Sequence, residues 1–130
     1  MPAGYIRSAL DVLGAERIDH GVRCSEDPEL VERLRRSQIP LTVCPLSNQK
    51  LRVVRDLRDH NLATLLRQGL AITIHSDDPA YFGGYIGDNY RAVADALGLS
   101  RSELVRLAEN AIRASFLPAT RKAELLVRVR

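Results

Sequence analysis

Three short runs of aliphatic and β-branched residues, Arg17-Ile18-Asp19-His20, Leu41-Thr42-Val43-Cys44 and Leu70-Ala71-Ile72-Thr73-Ile74, alternate with helical patterns over the first 75 residues. Antiparallel neighbours can be joined by a tight turn, whereas connections long enough to hold a helix belong to parallel strands joined by right-handed crossovers. The alternation therefore predicts an α/β fold with three parallel strands. A helix over Tyr5–Leu13 stops at Gly14. Asp27-Pro28 opens a second helix through Ser37, with Pro in the first turn, where its missing N–H costs nothing. Pro45-Leu46-Ser47-Asn48 reads as a turn, and a helix over Asp59–Gln68 stops at Gly69. After Gly87 the pattern is wholly helical: Asp88–Leu97, then Ser100–Ser115 with Ser100 and Glu103 at capping-box spacing, then Pro118–Val129. No linker or low-complexity segment divides residues 1–130, which read as a single domain.

Composition narrows the function classes. With 45% hydrophobic and 27% charged residues, the chain has the balance of a globular protein. Its apolar runs are too short to span a bilayer, and Met1-Pro2-Ala3-Gly4 leads into a helical pattern rather than a signal-peptide core, so a cytoplasmic location and no membrane partner are expected. The net charge of +3 arises from 19 basic and 16 acidic residues that are interspersed, with no Trp and no basic block interleaved with aromatics, which argues against a nucleic-acid polymer as partner. Cys24 and Cys44 have neither Cys-X-X-Cys spacing nor a small secreted context. They are expected as free thiols, Cys44 buried at a strand end.

Parallel strands open their C-terminal ends on one face, where α/β proteins bind ligands. That face would carry His20, the Ser47-Asn48 turn, and His75, Asp77 and Asp78. Adjacent carboxylates after a buried run repel one another unless a cation or a donor compensates. Imidazole and carboxylate are both zinc ligands and proton-transfer groups. Each residue also has a plainer reading. Asp78-Pro79 suits a turn or a helix cap, and a lone strand-end His is commonly structural. His60, in the polar stretch Arg58-Asp59-His60-Asn61, reads as a surface or helix-start residue. Gly83-Gly84 suits a hinge or a close approach of backbone to a flat ligand. His75, two positions before Asp77, would share its side of a strand and is a weaker metal candidate. The residues by themselves describe an α/β domain with a metal or acid–base site. A small domain for an anionic ligand stays open, although no Gly-rich phosphate loop follows a strand.

Arg17-Ile18-Asp19-His20-Gly21, Cys44-Pro45-Leu46-Ser47-Asn48 and Ser76-Asp77-Asp78-Pro79-Ala80-Tyr81-Phe82-Gly83-Gly84-Tyr85 resemble, in order, three successive strand-end motifs of the adenosine/adenine deaminase family. The Ala-Tyr-Phe-Gly-Gly-Tyr continuation is more similar to the adenine deaminase branch. Asn110-Ala111-Ile112-Arg113-Ala114-Ser115-Phe116-Leu117 resembles the helix that closes the family's C-terminal region.

The resemblance implies a zinc-dependent (β/α)8 barrel that replaces the 6-amino group of adenine with water, giving hypoxanthine and ammonia in purine salvage. By it, Asp77 matches the metal-ligating carboxylate and His20 the histidine that orients and deprotonates the attacking water. Asp78 matches the acid that hydrogen-bonds the purine ring, and Ser47 and Asn48 would shape the pocket wall. The family takes two further zinc ligands from a His-X-His pair on the first barrel strand, and a third His with a general-acid Glu from the fifth. This chain has only His20, His60 and His75 and matches one ligand, Asp77. A barrel of this kind needs about 250 residues, so 130 are expected to form its C-terminal part: three strands, then a helical region. Expected partners are a purine and either a second copy or an N-terminal half that covers the open sheet. A non-catalytic remnant and adenosine deaminase activity are the alternatives.

Overall fold

The computed structural model describes residues 2–130. A first helix, α1 (Ala3–Asp11), buries Ile6 and Leu10 and leads to strand β1 (Ile18–Asp19). A 3-10 turn over Val22–Glu26 connects to α2 (Pro28–Ser37), where Asp27 accepts the Leu30 N–H and Pro28 occupies the first helical position. Strand β2 (Leu41–Val43) follows. The next segment corrects an expectation: Pro45-Leu46-Ser47-Asn48 is not a turn but the start of a short helix, α3 (Pro45–Lys50). Pro45 opens it as Pro28 opens α2, and the amides of Asn48 and Leu51 close onto the carbonyls of Cys44 and Ser47. A 3-10 turn at Leu57–Asp59 precedes α4 (Leu62–Arg67), which begins three residues later than expected and ends before Gly69. Strand β3 (Ile72–Ile74) completes the sheet.

The three strands lie in the order β1-β2-β3, all parallel, with Ile18 beside Leu41, and Leu41 and Val43 beside Ile72 and Ile74. They are shorter than their sequence runs, yet ladder-like bonds continue past them: the His20 amide reaches the Thr42 carbonyl at 2.9 Å and the His75 amide the Val43 carbonyl at 2.8 Å. Every residue of β2 and β3 is buried, as expected for a parallel sheet covered on both faces. Leu30, Leu34, Leu62, Leu65, Leu66, Leu70, Ile72 and Leu107 are at most 1% exposed and form the centre of the core.

Beyond β3 the chain is helical: α5 (Pro79–Phe82), α6 (Ile86–Leu97), α7 (Arg101–Ala114) and α8 (Ala119–Val129). The capping box read from Ser100 and Glu103 is present at the start of α7. Glu103 also pairs with Arg67 at 2.8 Å, and Asn110 donates to the Ile72 carbonyl at 3.0 Å, so α7 is fastened to α4 and to the open side of β3. Among the described residues no helix is long and apolar enough to cross a membrane. The architecture is α/β, an arc of three strand–helix units followed by a helical region, as in the C-terminal part of a (β/α)8 barrel.

Candidate active site

The C-terminal strand ends bring His20, Cys44 and Asp77 together, with one ligand atom from each lying within 4.8 Å of the others. Two of the three sit on unusual backbone. His20 has φ +62° and Asp77 φ +57°, the left-handed region that residues with a Cβ seldom enter. Such conformations persist where the surroundings over-determine them, and they cluster at functional sites. Each turns a side chain out of strand alternation and over the sheet end. The residue after His20 must then be Gly21, with φ +74°, because a Cβ there would come 2.9 Å from Leu41 Cδ2.

Around these residues runs a chain of hydrogen bonds. Ser47, wholly buried at the start of α3, donates from Oγ to Asp77 Oδ2 at 2.9 Å. The same oxygen faces His20 Nε2 at 3.8 Å. On the other side of the imidazole, Asn48 Nδ2 lies 3.4 Å from His20 Nδ1, and Asn48 Oδ1 lies 3.0 Å from His60 Nε2. Ser47 and Asn48, expected as pocket wall, thus spend their polar atoms on Asp77 and His20. Asp78 caps α5, its Oδ1 accepting the Ala80 and Tyr81 amides at 3.1 and 3.3 Å, while its Oδ2 takes no hydrogen bond among the described residues. The capping reading therefore holds, and one carboxylate oxygen remains free among the described residues. Gly83, with φ +81°, ends α5, and Gly84 packs against Leu46 Cδ1, so the paired glycines serve local geometry.

His75 is held by Thr73 Oγ1 at 2.8 Å and stands outside the group of three ligand atoms, because the left-handed turn at Asp77 breaks the alternation that would align the two. Cys44 joins the group instead. Burial, with Asp77 and Asp19 nearby, pushes its thiol up to about 11. Cys24 is raised to about 11 by burial, and both are free thiols as expected.

His60 corrects the sequence reading further. It does stand at a helix start, since its Nδ1 accepts the Leu62 amide at 3.0 Å, but it is 4% exposed rather than on the surface. Its signal was a His two positions before a run of Leu and Ala, where an unpaired helix amide wants an acceptor. Desolvation lowers its pKa to about 4. Between there and the ordinary imidazole value of about 6.5 the unfolded chain binds a proton that the folded one does not, so this contribution is present at neutral pH and lost as pH falls. We predict that acidification through this window removes up to about 3 kcal/mol of stability. Urea unfolding at several pH values should show a shallower acid slope in His60→Gln; equal slopes would refute the assignment.

A cavity of about 500 Å3 opens over the cluster, lined by Arg17, Asp19, His20, Thr42, Cys44, His75, Ser76, Asp77 and Ile86. That volume suits a small ring compound. Arg17 is itself held over the Phe116 ring, 4.6 Å from its centroid.

The family model described as adenosine deaminase matches residues 1–130. The chain belongs to the adenosine deaminase family. Within this family it is 59% identical over 98% of its length to an adenine deaminase of Cupriavidus taiwanensis, and 60% identical over 89% of its length to one of Zymomonas mobilis. The solved adenine deaminase of Arthrobacter aurescens superposes with a TM-score of 0.97 over 99% of the chain at 54% identity. The chain spans 36% and 34% of the two curated relatives and 39% of the solved structure. These adenine deaminase relatives agree with the resemblance of the three strand-end motifs to the adenine deaminase branch.

Proposed function

We propose that the protein carrying this chain is a zinc-dependent adenine deaminase that hydrolyses adenine to hypoxanthine and ammonia, acting in cytoplasmic purine salvage. The observation that carries this reading is the meeting of Asp77 and His20, both on left-handed backbone, at the floor of a cavity sized for a purine. The identity to adenine deaminases supports the choice of substrate.

The residues fit one side of a zinc site: the Asp77 carboxylate is a ligand type zinc accepts, and the His20 imidazole and Cys44 thiol lie within 4.8 Å of it. Asp77 would hold the metal through a carboxylate oxygen. When bound, zinc supplies an acidified water, with a pKa of about 7, at neutral pH. This chain's own residues do the rest. Ser47, donating to Asp77 Oδ2, fixes the rotamer of that carboxylate. His20 Nε2 lies beside the same oxygen, placed to orient the attacking water. Asp78 keeps its Oδ2 without a hydrogen bond among the described residues, and in its protonated form that oxygen would donate to a ring nitrogen of the purine. The test is direct: the intact protein, supplied with zinc and adenine, should release hypoxanthine and ammonia at about 1 per second or faster. Turnover of adenosine in preference to adenine, or of neither, overturns the proposal.

A further inference from the structure

We infer that His60 is a positioning residue that holds His20 in a single neutral tautomer, with its hydrogen on Nε2, through the side-chain amide of Asn48. The tautomer's bearing on turnover rests on the deaminase reading above; the hydrogen-bond chain stands apart from it.

One hydrogen-bonding group beside His60 has a role that cannot be exchanged. The Leu62 amide, in the first turn of α4, is a donor only, and the atom it meets is His60 Nδ1 at 3.0 Å. His60 Nδ1 must therefore be a lone pair, and the neutral ring carries its hydrogen on Nε2. That N–H meets Asn48 at 3.0 Å, and only the amide oxygen can accept it. The orientation of the Asn48 amide is thereby settled, although oxygen and nitrogen have almost the same shape. Its NH2 then faces His20 Nδ1, which must accept. A neutral His20 so held has its hydrogen on Nε2, the atom 3.8 Å from Asp77 Oδ2.

Burial makes the roles strict at the His60–Asn48 pair. These residues are 4% and 2% exposed, so water cannot stand in for a mismatched partner there and a reversed amide would set N–H against N–H, while His20, whose side chain is 37% exposed, takes its role from the Asn48 amide at 3.4 Å. Asn48 sits on α3 while His60 precedes α4, so rigid backbone fixes both ends. The consequence is chemical: His20 in this form meets the attacking oxygen as a hydrogen-bond donor. It orients water and does not take its proton at Nε2.

The test is 15N NMR of the histidine rings in the intact protein, in mildly alkaline solution where imidazoles are neutral, with His20 and His60 assigned by substitution. In the wild type both rings should show a pyrrole-type Nε2 and a pyridine-type Nδ1. Asn48→Asp, which replaces the donor facing His20 with an acceptor, should invert His20 to the Nδ1–H form. His60→Ala, if it folds, should lose the single tautomer and give averaged signals. A wild-type His20 with its hydrogen on Nδ1, an averaged wild-type ring, or an Asn48→Asp protein in which His20 is unchanged each overturns the inference. Adenine turnover is measured separately, so an inactive protein with the expected ring signals counts against the deaminase reading alone.

Discussion

Asp77→Ala in the intact protein should lower kcat/KM for adenine by about a thousandfold or more, with the bound zinc lost in parallel. On the proposed reading the carboxylate is the metal-ligating group of this chain, and it is built in from two directions: Ser47 Oγ at 2.9 Å and His20 Nε2 at 3.8 Å both address Oδ2. Removing a ligand takes away the activated water together with the metal, whereas removing the group that orients a ligand costs only about 10–100-fold in affinity or activity. Ser47→Ala should accordingly fall between the wild type and Asp77→Ala. Steady-state kinetics paired with metal analysis separates the cases. An Asp77→Ala protein that keeps its zinc and stays within tenfold of wild-type activity would show that the metal is held elsewhere.

The second large effect concerns the 130 residues expressed by themselves. They should convert adenine no faster than the zinc-containing buffer does, a loss of roughly 10⁶-fold or more against an enzyme. Asp77 is the one metal ligand here that the family resemblance matches, and His20 is matched by it to the orienting of water rather than to the metal. A catalytic zinc takes three protein ligands. The sheet is also open. On its outer side β1 has no strand neighbour among the described residues, while β3 has only the single bond from Asn110 on its outer side. Tyr5, Val12, Leu13, Tyr81, Tyr85 and Phe116 are exposed apolar surface. Unpaired strand edges beside such surface favour association. Light scattering should therefore report oligomers, and mixing with the remaining part of a full-length relative should restore both a monodisperse species and turnover. Enzymatic rates from the 130 residues alone would sink the residue assignments together with the incompleteness they imply.

The helices α2 and α7 were legible residue by residue because their start signals act within one turn. Asp27 with Pro28, and Ser100 with Glu103, satisfy helix amides three positions away, so sequence spacing is already spatial distance. The three strands were legible as existing, and their common C-terminal end followed from right-handed crossovers. Their lengths were not, since Arg17 and Cys44 continue the β-like composition while the backbone leaves the ladder. Pro45-Leu46-Ser47-Asn48 misled because proline followed by small polar residues suits a turn and a helix start equally well. What distinguishes them is Asn89 Oδ1, which accepts the Leu46 amide from 43 positions away and anchors the first turn of α3.

The site divides in the same way. Sequence alone determined which residue types arrive at the sheet end, His20, Ser47 and Asp77, because strand alternation and crossover length are local properties of the chain. Only the tertiary structure decided how they couple. Ser47 reaches Asp77 across 30 positions, Asn48 reaches His20 across 28, and His60 reaches Asn48 across 12. It also decided that His60, set among charged residues in sequence, is buried, and that Asp77 and His20 adopt left-handed backbone. Burial and strain of this kind are set by what packs around a residue, and the packing of Leu41 against Gly21, or of His60 against Asn48, exists only once the strands have met.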